Sequence, residues 1–242
     1  RKFTAYGEAA AMEFAERLAA AGVTVVSGAA RGIDTRAHRG ALRGGRTVAV
    51  LACGVDIAYP PENRRLLAQV AETGGAVISE YAPGTQPLPV FFPARNRIIS
   101  GLSEGTLVVE AAQRSGSLIT AEMALSEGRD VYAIPGSIYS PQSGGCHNLI
   151  RAGARLVETP QEILVEMRLT EPPRRPVREQ LTPEEARIYH VLSFDHALSM
   201  DEILDSMPEH EVANIPLLLL QMQLKGIITE NEMHAYRRAE RN

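Results

Sequence analysis

Cysteine is scarce in this chain: 242 residues contain only Cys53 and Cys146. Two cysteines cannot build a disulfide framework, so a reduced, cytoplasmic setting is expected. Cys146 is followed by His147, but no second Cys/His cluster accompanies them, and a structural zinc site needs about four ligands. No metal and no cofactor is therefore expected. No run approaches the ~20 apolar residues that span a bilayer. No charged-then-apolar leader opens the chain, so neither membrane insertion nor export is expected. Three signatures of chemistry are also missing. There is no Gly-x4-Gly-Lys-Ser/Thr loop, which argues against ATP hydrolysis, and no Gly-x-Gly-x-x-Gly dinucleotide turn. No Gly-x-Ser-x-Gly nucleophile elbow is present. Lysine is nearly absent too, at Lys2 and Lys225 alone, so the basic charge is arginine. Arginine makes fork-shaped, bidentate contacts to phosphate.

What is present is unevenly placed. Net charge is −4, which by itself argues against nucleic acid. Residues 1–168 carry 17 basic and 16 acidic side chains (+1), whereas residues 169–242 carry 8 and 13 (−5). Seven arginines fall within 31–65 (Arg31, Arg36, Arg39, Arg43, Arg46, Arg64, Arg65) against three acids. Local field, not net charge, decides where a polyanion docks.

Short apolar runs alternate with amphipathic stretches. Strands are predicted at 23–26, 47–51, 76–79, 106–109, 131–134 and near 155–157. Helices are predicted at 7–21, after Asp34 to about Gly44, 62–73, 94–103 and 117–127. This alternation predicts an α/β fold, a Rossmann-like doubly wound and mostly parallel sheet. The strand that ordinarily feeds the first helix of such a sheet is not seen before residue 7, so the sheet is read as lacking its first strand. Residues 169–181 carry three prolines and alternating charge, as a linker does. Beyond them, helices at about 184–193, 199–206 and 211–224, then strands at 227–229 and 233–236, predict a small winged-helix domain over 182–242. The division is thus 1–168, 169–181 and 182–242.

Two segments carry the functional reading. Ser27-Gly28-Ala29-Ala30-Arg31-Gly32-Ile33-Asp34 is a glycine-bracketed turn after a buried strand. Its backbone amides and the following helix can hold an anion, with Arg31 as a clamp; alternatively it is a tight turn with Arg31 in a surface ion pair. Asp34 is expected to cap the helix. The second segment, Phe92-Pro93-Ala94-Arg95-Asn96-Arg97, opens a helix. Arg95 and Arg97 point about 200° apart, so one is expected to meet DNA and the other to anchor the helix, with Arg95 favoured for DNA. Asn96 contacts a phosphate or base edge, or is a plain N-cap. A third small-residue turn, Ser115-Gly116-Ser117-Leu118-Ile119-Thr120, offers amides to a neighbouring phosphate, with Ser117 as N-cap. Phe91 and Phe92 lie on the preceding loop. One of them can stack on a base, worth ~1–3 kcal/mol, and core packing accounts for at least one.

These residues resemble the DNA processing protein A family (DprA/Smf). The resemblance rests on Ser27–Asp34, the Gly54…Asp56…Tyr59-Pro60 loop, Phe92–Ser103, Val108–Ala111, Ser115–Ala121 and Gly128-Arg129…Pro135-Gly136, in order over about 1–158. It implies a non-enzymatic, homodimeric single-stranded DNA-binding protein of natural transformation that protects incoming DNA and loads the RecA recombinase. On this reading Ser27, Gly28, Arg31, Gly32, Phe92, Arg95, Asn96, Arg97, Gly116, Ser117 and Thr120 form the DNA site. The acidic tail, with no basic residue in 211–224, is expected to contact protein rather than duplex DNA. The rival is a Rossmann-like nucleotide phosphoribohydrolase in which Glu80 or Glu110 assists glycosidic cleavage; a third class is a scaffold for which DNA is incidental.

Overall fold

The computed structural model describes residues 3–170, 181–194, 196–207, 214–231 and 234–239. They fall into two compact units, Arg1–Pro172 and Pro173–Asn242. Most of the stretch read as a linker, residues 171–180, lies outside the described residues.

The first unit runs α1 (Ala5–Ala20), β1 (Val25–Ser27), α2 (Ile33–Gly44), β2 (Thr47–Leu51), α3 (Arg64–Glu72) and β3 (Ala76–Ser79). It continues with α4 (Phe91–Gly101), β4 (Gly105–Val108), α5 (Gly116–Ser126), β5 (Asp130–Ala133), α6 (Gly144–Arg151), β6 (Arg155–Leu156) and α7 (Pro160–Glu166). Every strand pair in it is parallel. The strands pair in order β1-β2-β3 and, separately, β4-β5-β6. The fold is α/β as expected, but the sheet is divided. β1 and β4 each have a neighbour on one side only. Between them lies a cavity of about 1120 Å³, where a continuous doubly wound sheet would carry one more strand.

Burial follows the apolar pattern. Phe14 and Leu18 of α1 pack with Tyr132, Ile134, Ile163 and Leu164, while Val108, Ala121, Ala124 and Leu149 form a second cluster behind β4 and β5. Fully burying a side chain such as Leu164 contributes about 1.5–3 kcal/mol. Cys53 and Cys146 are free and buried. Burial pushes the Cys53 thiol up, and that of Cys146 to about 11. Thr4 caps α1, accepting from the Gly7 amide at 3.0 Å.

The second unit contains α8 (Pro183–Val191), α9 (Met200–Asp205), α10 (Ile215–Leu224) and an antiparallel pair, β7 (Ile228–Glu230) and β8 (Tyr236–Arg238). Thr182 and Ser199 open α8 and α9 with capping boxes closed by Glu185 and Glu202, the arrangement that an S/T-x-x-E spacing favours. The second hairpin strand lies later than the 233–236 expected. Leu198 and Tyr236 exchange backbone bonds of 2.8 and 2.7 Å. The Arg238 guanidinium then seats 4.6 Å over the Tyr189 ring, which places 238 within the strand. Residues 208–213, which include the expected start of α10, lie outside the described residues. Ile188, Leu192, Ile203, Leu219 and Met222 make the core of this unit.

Candidate nucleic-acid interface

Ten of the eleven residues singled out in the sequence line the cavity between β1 and β4: Ser27, Gly28, Arg31, Gly32, Phe92, Arg95, Asn96, Gly116, Ser117 and Thr120. Arg97 does not line it. Ligands of open parallel sheets bind at that end, near the point where the strand order reverses.

The Ser27–Asp34 turn is closed from within. Ala29 and Gly32 both take positive φ, 52° and 93°. The Asp34 carboxylate accepts from the Ala30 amide at 3.2 Å, and Thr35 Oγ1 donates to the Ala30 carbonyl at 2.8 Å. Buried Asn63 donates to the Ala29 carbonyl at 2.9 Å. Asp34 therefore does not cap α2, whose N-cap is Gly32 with no side-chain cap bond. It ties the turn instead, and takes the Ala30 amide out of any anion nest.

Arg95, the arginine favoured for DNA, takes the anchoring place instead. Arg95 is 4% exposed. Its Nη1 donates to the Gly28 carbonyl at 2.9 Å and to the Val50 carbonyl. Gly28 was expected to let an anion approach; a Cβ there would lie 2.5 Å from Arg95 Nη2, so the glycine makes room for the guanidinium. Arg95 is thus the anchor. α4 begins at Phe91, three residues earlier than expected, so residue 95 lies in its second turn. Asn96 is consequently inside the helix and not its N-cap; its Oδ1 accepts from Arg95 Nε at 3.4 Å. Arg97 is exposed and paired with Glu80.

Arg31 stays on the surface, its side chain 62% exposed, with Nη2 2.7 Å from Glu62 Oε1. A hydrogen bond from its own backbone amide and one from Arg31 hold the Glu62 carboxyl below its ordinary range. Exposed pairs of this kind contribute only about 0–1 kcal/mol, so Arg31 can exchange Glu62 for a phosphate at little cost. The third turn also differs in register. Ser115, not Ser117, is the N-cap of α5; its Oγ accepts from the Ser117 amide at 3.4 Å and meets Ser117 Oγ at 2.8 Å. Phe91 stacks on Tyr81 with centroids 4.2 Å apart, and Phe92 tilts against Tyr59 at 5.7 Å. Both rings are thus held by tyrosines, and of the two phenylalanines Phe92 lines the cavity.

One residue escaped the sequence reading. Arg114 is exposed, lines the same cavity and has no ion-pair partner among the described residues. Its signal was its place in the turn just before the small-residue helix start. Glu80 and Glu110, the carboxylates of the rival reading, are both engaged. Glu80 meets Arg97. Glu110 accepts from the Thr4 amide at 3.0 Å and from its hydroxyl, so it steadies the start of α1.

A parallel α/β unit whose loops, helix starts and arginines converge on one cavity beside the strands belongs to the class of Rossmann-like folds. Comparison with known proteins narrows the class. The model of the family DNA recombination-mediator protein A matches residues 1–168, and the chain belongs to that family. It is 55% identical over 145 residues to DNA processing protein DprA of Streptococcus pneumoniae, covering 60% of this chain and 51% of the relative. It is 54% identical over 160 residues to Protein Smf of Escherichia coli, covering 66% and 43%. The chain thus spans about half the length of these curated relatives. The solved structure of S. pneumoniae DNA processing protein A matches with a TM-score of 0.63 at 50% identity, over 68% of this chain and 58% of that one. A Helicobacter pylori DNA processing protein A, described for its single-stranded DNA binding mode, matches with a TM-score of 0.63 at 28% identity, over 69% and 75%.

No helix among the described residues is long and apolar enough to cross a membrane. No group of three or more His, Cys, Asp or Glu among them could hold a metal ion.

Proposed function

We propose that this chain binds single-stranded DNA along the crevice at the carboxyl ends of β1 and β4, gripping the sugar-phosphate backbone without catalysing a reaction on it. The observation that carries this reading is the convergence of exposed Arg31 and Arg114 with the starts of α2 and α5 on one cavity. Two cations and two helix amino termini suit several phosphates in a row better than a single nucleotide. The H. pylori relative's described binding mode supports the same ligand. Arg31 and Arg114 would touch phosphate, with Ser27, Gly116, Ser117 and Thr120 beside them. Arg95 and Gly28 would hold the turn in shape, and Arg97 would contribute after leaving Glu80. The Phe92–Tyr59 pair would offer a face to a base.

The family resemblance extends the proposal. The protein would act in the cytoplasm in natural transformation, as a homodimer that protects incoming strands and helps load RecA. Residues 1–168 would be the DNA-binding domain, 169–181 a linker, and 182–242 a winged-helix domain that meets protein rather than duplex DNA. In support of that last point, α10 carries no charged residue, and duplex affinity is dominated by phosphate neutralisation.

A fluorescence-anisotropy titration with single-stranded and duplex oligonucleotides at about 50 and 200 mM salt tests this. Tighter binding to the single strand, with a steep salt dependence and little sequence preference, is expected. Equal affinity for both forms, or indifference to salt, would refute it.

A further inference from the structure

Six arginines stand between residues 35 and 71 against two acids, Asp56 and Glu62. Both acids are engaged. Asp56 accepts from the Gly84 amide at 2.9 Å, and Glu62 accepts from Arg31. Two of the six arginines turn to α1: Arg36 meets Glu8 at 2.7 Å and Arg43 lies 3.8 Å from Glu16. Arg39, Arg46, Arg64 and Arg65 are exposed and have no ion-pair partner among the described residues.

Three of these four gather beside Arg31. Asn63, the residue before α3, donates to Thr35 Oγ1 of α2 and to the Ala29 carbonyl, both at 2.9 Å, which pins the start of α3 against the first turn of α2. Arg64 and Arg65 follow Asn63 directly. Arg39 follows Thr35 by one helical turn on the same face of α2. Arg31 reaches the same border, with Nε 3.2 Å and Nη2 2.7 Å from Glu62 Oε1. α3 buries Leu66, Leu67 and Val70, so Arg64 and Arg65 stand on its outer face. The cavity is lined by Arg31 but by none of Arg39, Arg64 and Arg65.

We propose that Arg39, Arg64 and Arg65 form a second phosphate-contact surface, which carries a single strand onward from Arg31 once it leaves the crevice. The inference rests on the DNA reading of the crevice and extends it to a surface outside the cavity. Three neighbouring guanidinium groups with no carboxylate between them repel one another, and a passing row of phosphates relieves that repulsion. No Phe, Tyr or Trp stands on α2 or α3, so the surface has no ring on which a base could stack. It supplies charge alone, holds the backbone with the bases turned to solvent, and reads no sequence. Continuity with Arg31, which belongs both to the cavity and to this border, favours the same strand over a separate acidic polypeptide.

Two oligothymidylates test it, one of about 6 nucleotides and one of about 25, a length beyond ordinary single-strand sites. Each is titrated at several salt concentrations against the whole chain and against the triple variant Arg39→Gln/Arg64→Gln/Arg65→Gln. For the unaltered chain, the slope of log K against log salt should be steeper for the longer strand by about 2, at ~0.7 for each of three phosphates. The slope counts neutralised phosphates, so the extra registers of a longer strand do not imitate it. In the variant that excess should vanish. Affinity for the longer strand should fall about tenfold or more, and affinity for the shorter one by less than about twofold. Equal slopes for the two lengths in the unaltered chain overturn the proposal, as does an excess that survives in the variant. An equal loss for both lengths also overturns it, because that reports a weakened general field and not a contact. Each of these leaves the crevice reading standing. If unchanged DNA slopes accompany lost binding of a polyglutamate probe, the patch belongs to an acidic polypeptide and the proposal is wrong. Failure of the unaltered chain to bind either strand refutes the crevice reading itself, and this inference falls with it.

Discussion

The Arg95 guanidinium is seated against Gly28, donating to the Gly28 carbonyl at 2.9 Å, with its Nη2 2.5 Å from where a Cβ at 28 would stand, so a side chain there would have to push the guanidinium aside. The turn that carries Arg31 is therefore shaped by a buried cation, and its exposed cation is left for a ligand.

Gly28→Ala is expected to displace Arg95 and destabilise the first unit by about 1–3 kcal/mol, the usual cost of overpacking. Arg95→Met leaves the Gly28 and Val50 carbonyls without their donor and should cost about 2–4 kcal/mol. Denaturant unfolding checks both. The fall in DNA affinity should accompany the fall in stability.

Arg31→Ala and Arg114→Ala should behave oppositely. Stability should change by less than about 1 kcal/mol, because Arg31 has only an exposed pair and Arg114 has none among the described residues. Affinity for single strands should fall for all sequences alike, and the slope of log K against log salt should flatten by about 0.7 for each phosphate no longer neutralised. A weakening confined to one sequence would contradict backbone gripping.

His38 makes the first unit acid-sensitive. Thr47 Oγ1 donates to the Val25 carbonyl at 2.7 Å, so it must accept from His38 Nδ1, also at 2.7 Å, and the ring is neutral with its proton on Nδ1. Nε2 is buried without a partner. Burial lowers the His38 pKa to about 4; Asp34 opposes the shift and Arg95 adds to it. Between about 4 and 6.5 the unfolded chain binds more protons than the folded one, so stability rises with pH in that window. The stability is complete above 6.5 and is lost as pH falls towards 4. The interval corresponds to roughly 3 kcal/mol. Unfolding midpoints against pH should show this slope, and His38→Gln should flatten it.

In the second unit, Lys225 Nζ lies 2.7 and 2.9 Å from the carboxylate oxygens of buried Glu185. Burial works to raise the Glu185 pKa, but bonds from Lys225 and Thr182 prevail and hold it below its ordinary range. A carboxyl held down in this way contributes stability that is present above the unfolded-state pKa and lost as pH falls through the folded one. Lys225→Met should destabilise this unit by about 1.5–3 kcal/mol, read by thermal unfolding of the whole chain. Glu185→Gln should be milder, because it removes the buried charge as well.

Much of this was legible in sequence because it is local. Strand after strand was marked by short Val/Ile/Leu runs between glycines, and the Thr182 capping box by its spacing to Glu185. The three turns that approach the cavity were marked by small residues. What escaped was non-local. The Arg95/Arg97 assignment depends on which face of α4 packs on the sheet, since the two side chains point about 200° apart and the carbonyls that hold Arg95 belong to Gly28 and Val50, far off in the chain. Arg114 had no motif of its own and became visible only once its turn was folded against the others.

By itself, then, the order of residues determined the alternation of strands and helices, the breakpoints between them and the family, because those follow from periodicity, caps and turn chemistry acting over a few neighbours. Only the tertiary structure decided which arginine is buried, which carboxylates are occupied, and that the sheet is parted by a slot between β1 and β4. Each of these depends on groups far apart in the chain competing for the same space and the same hydrogen bonds.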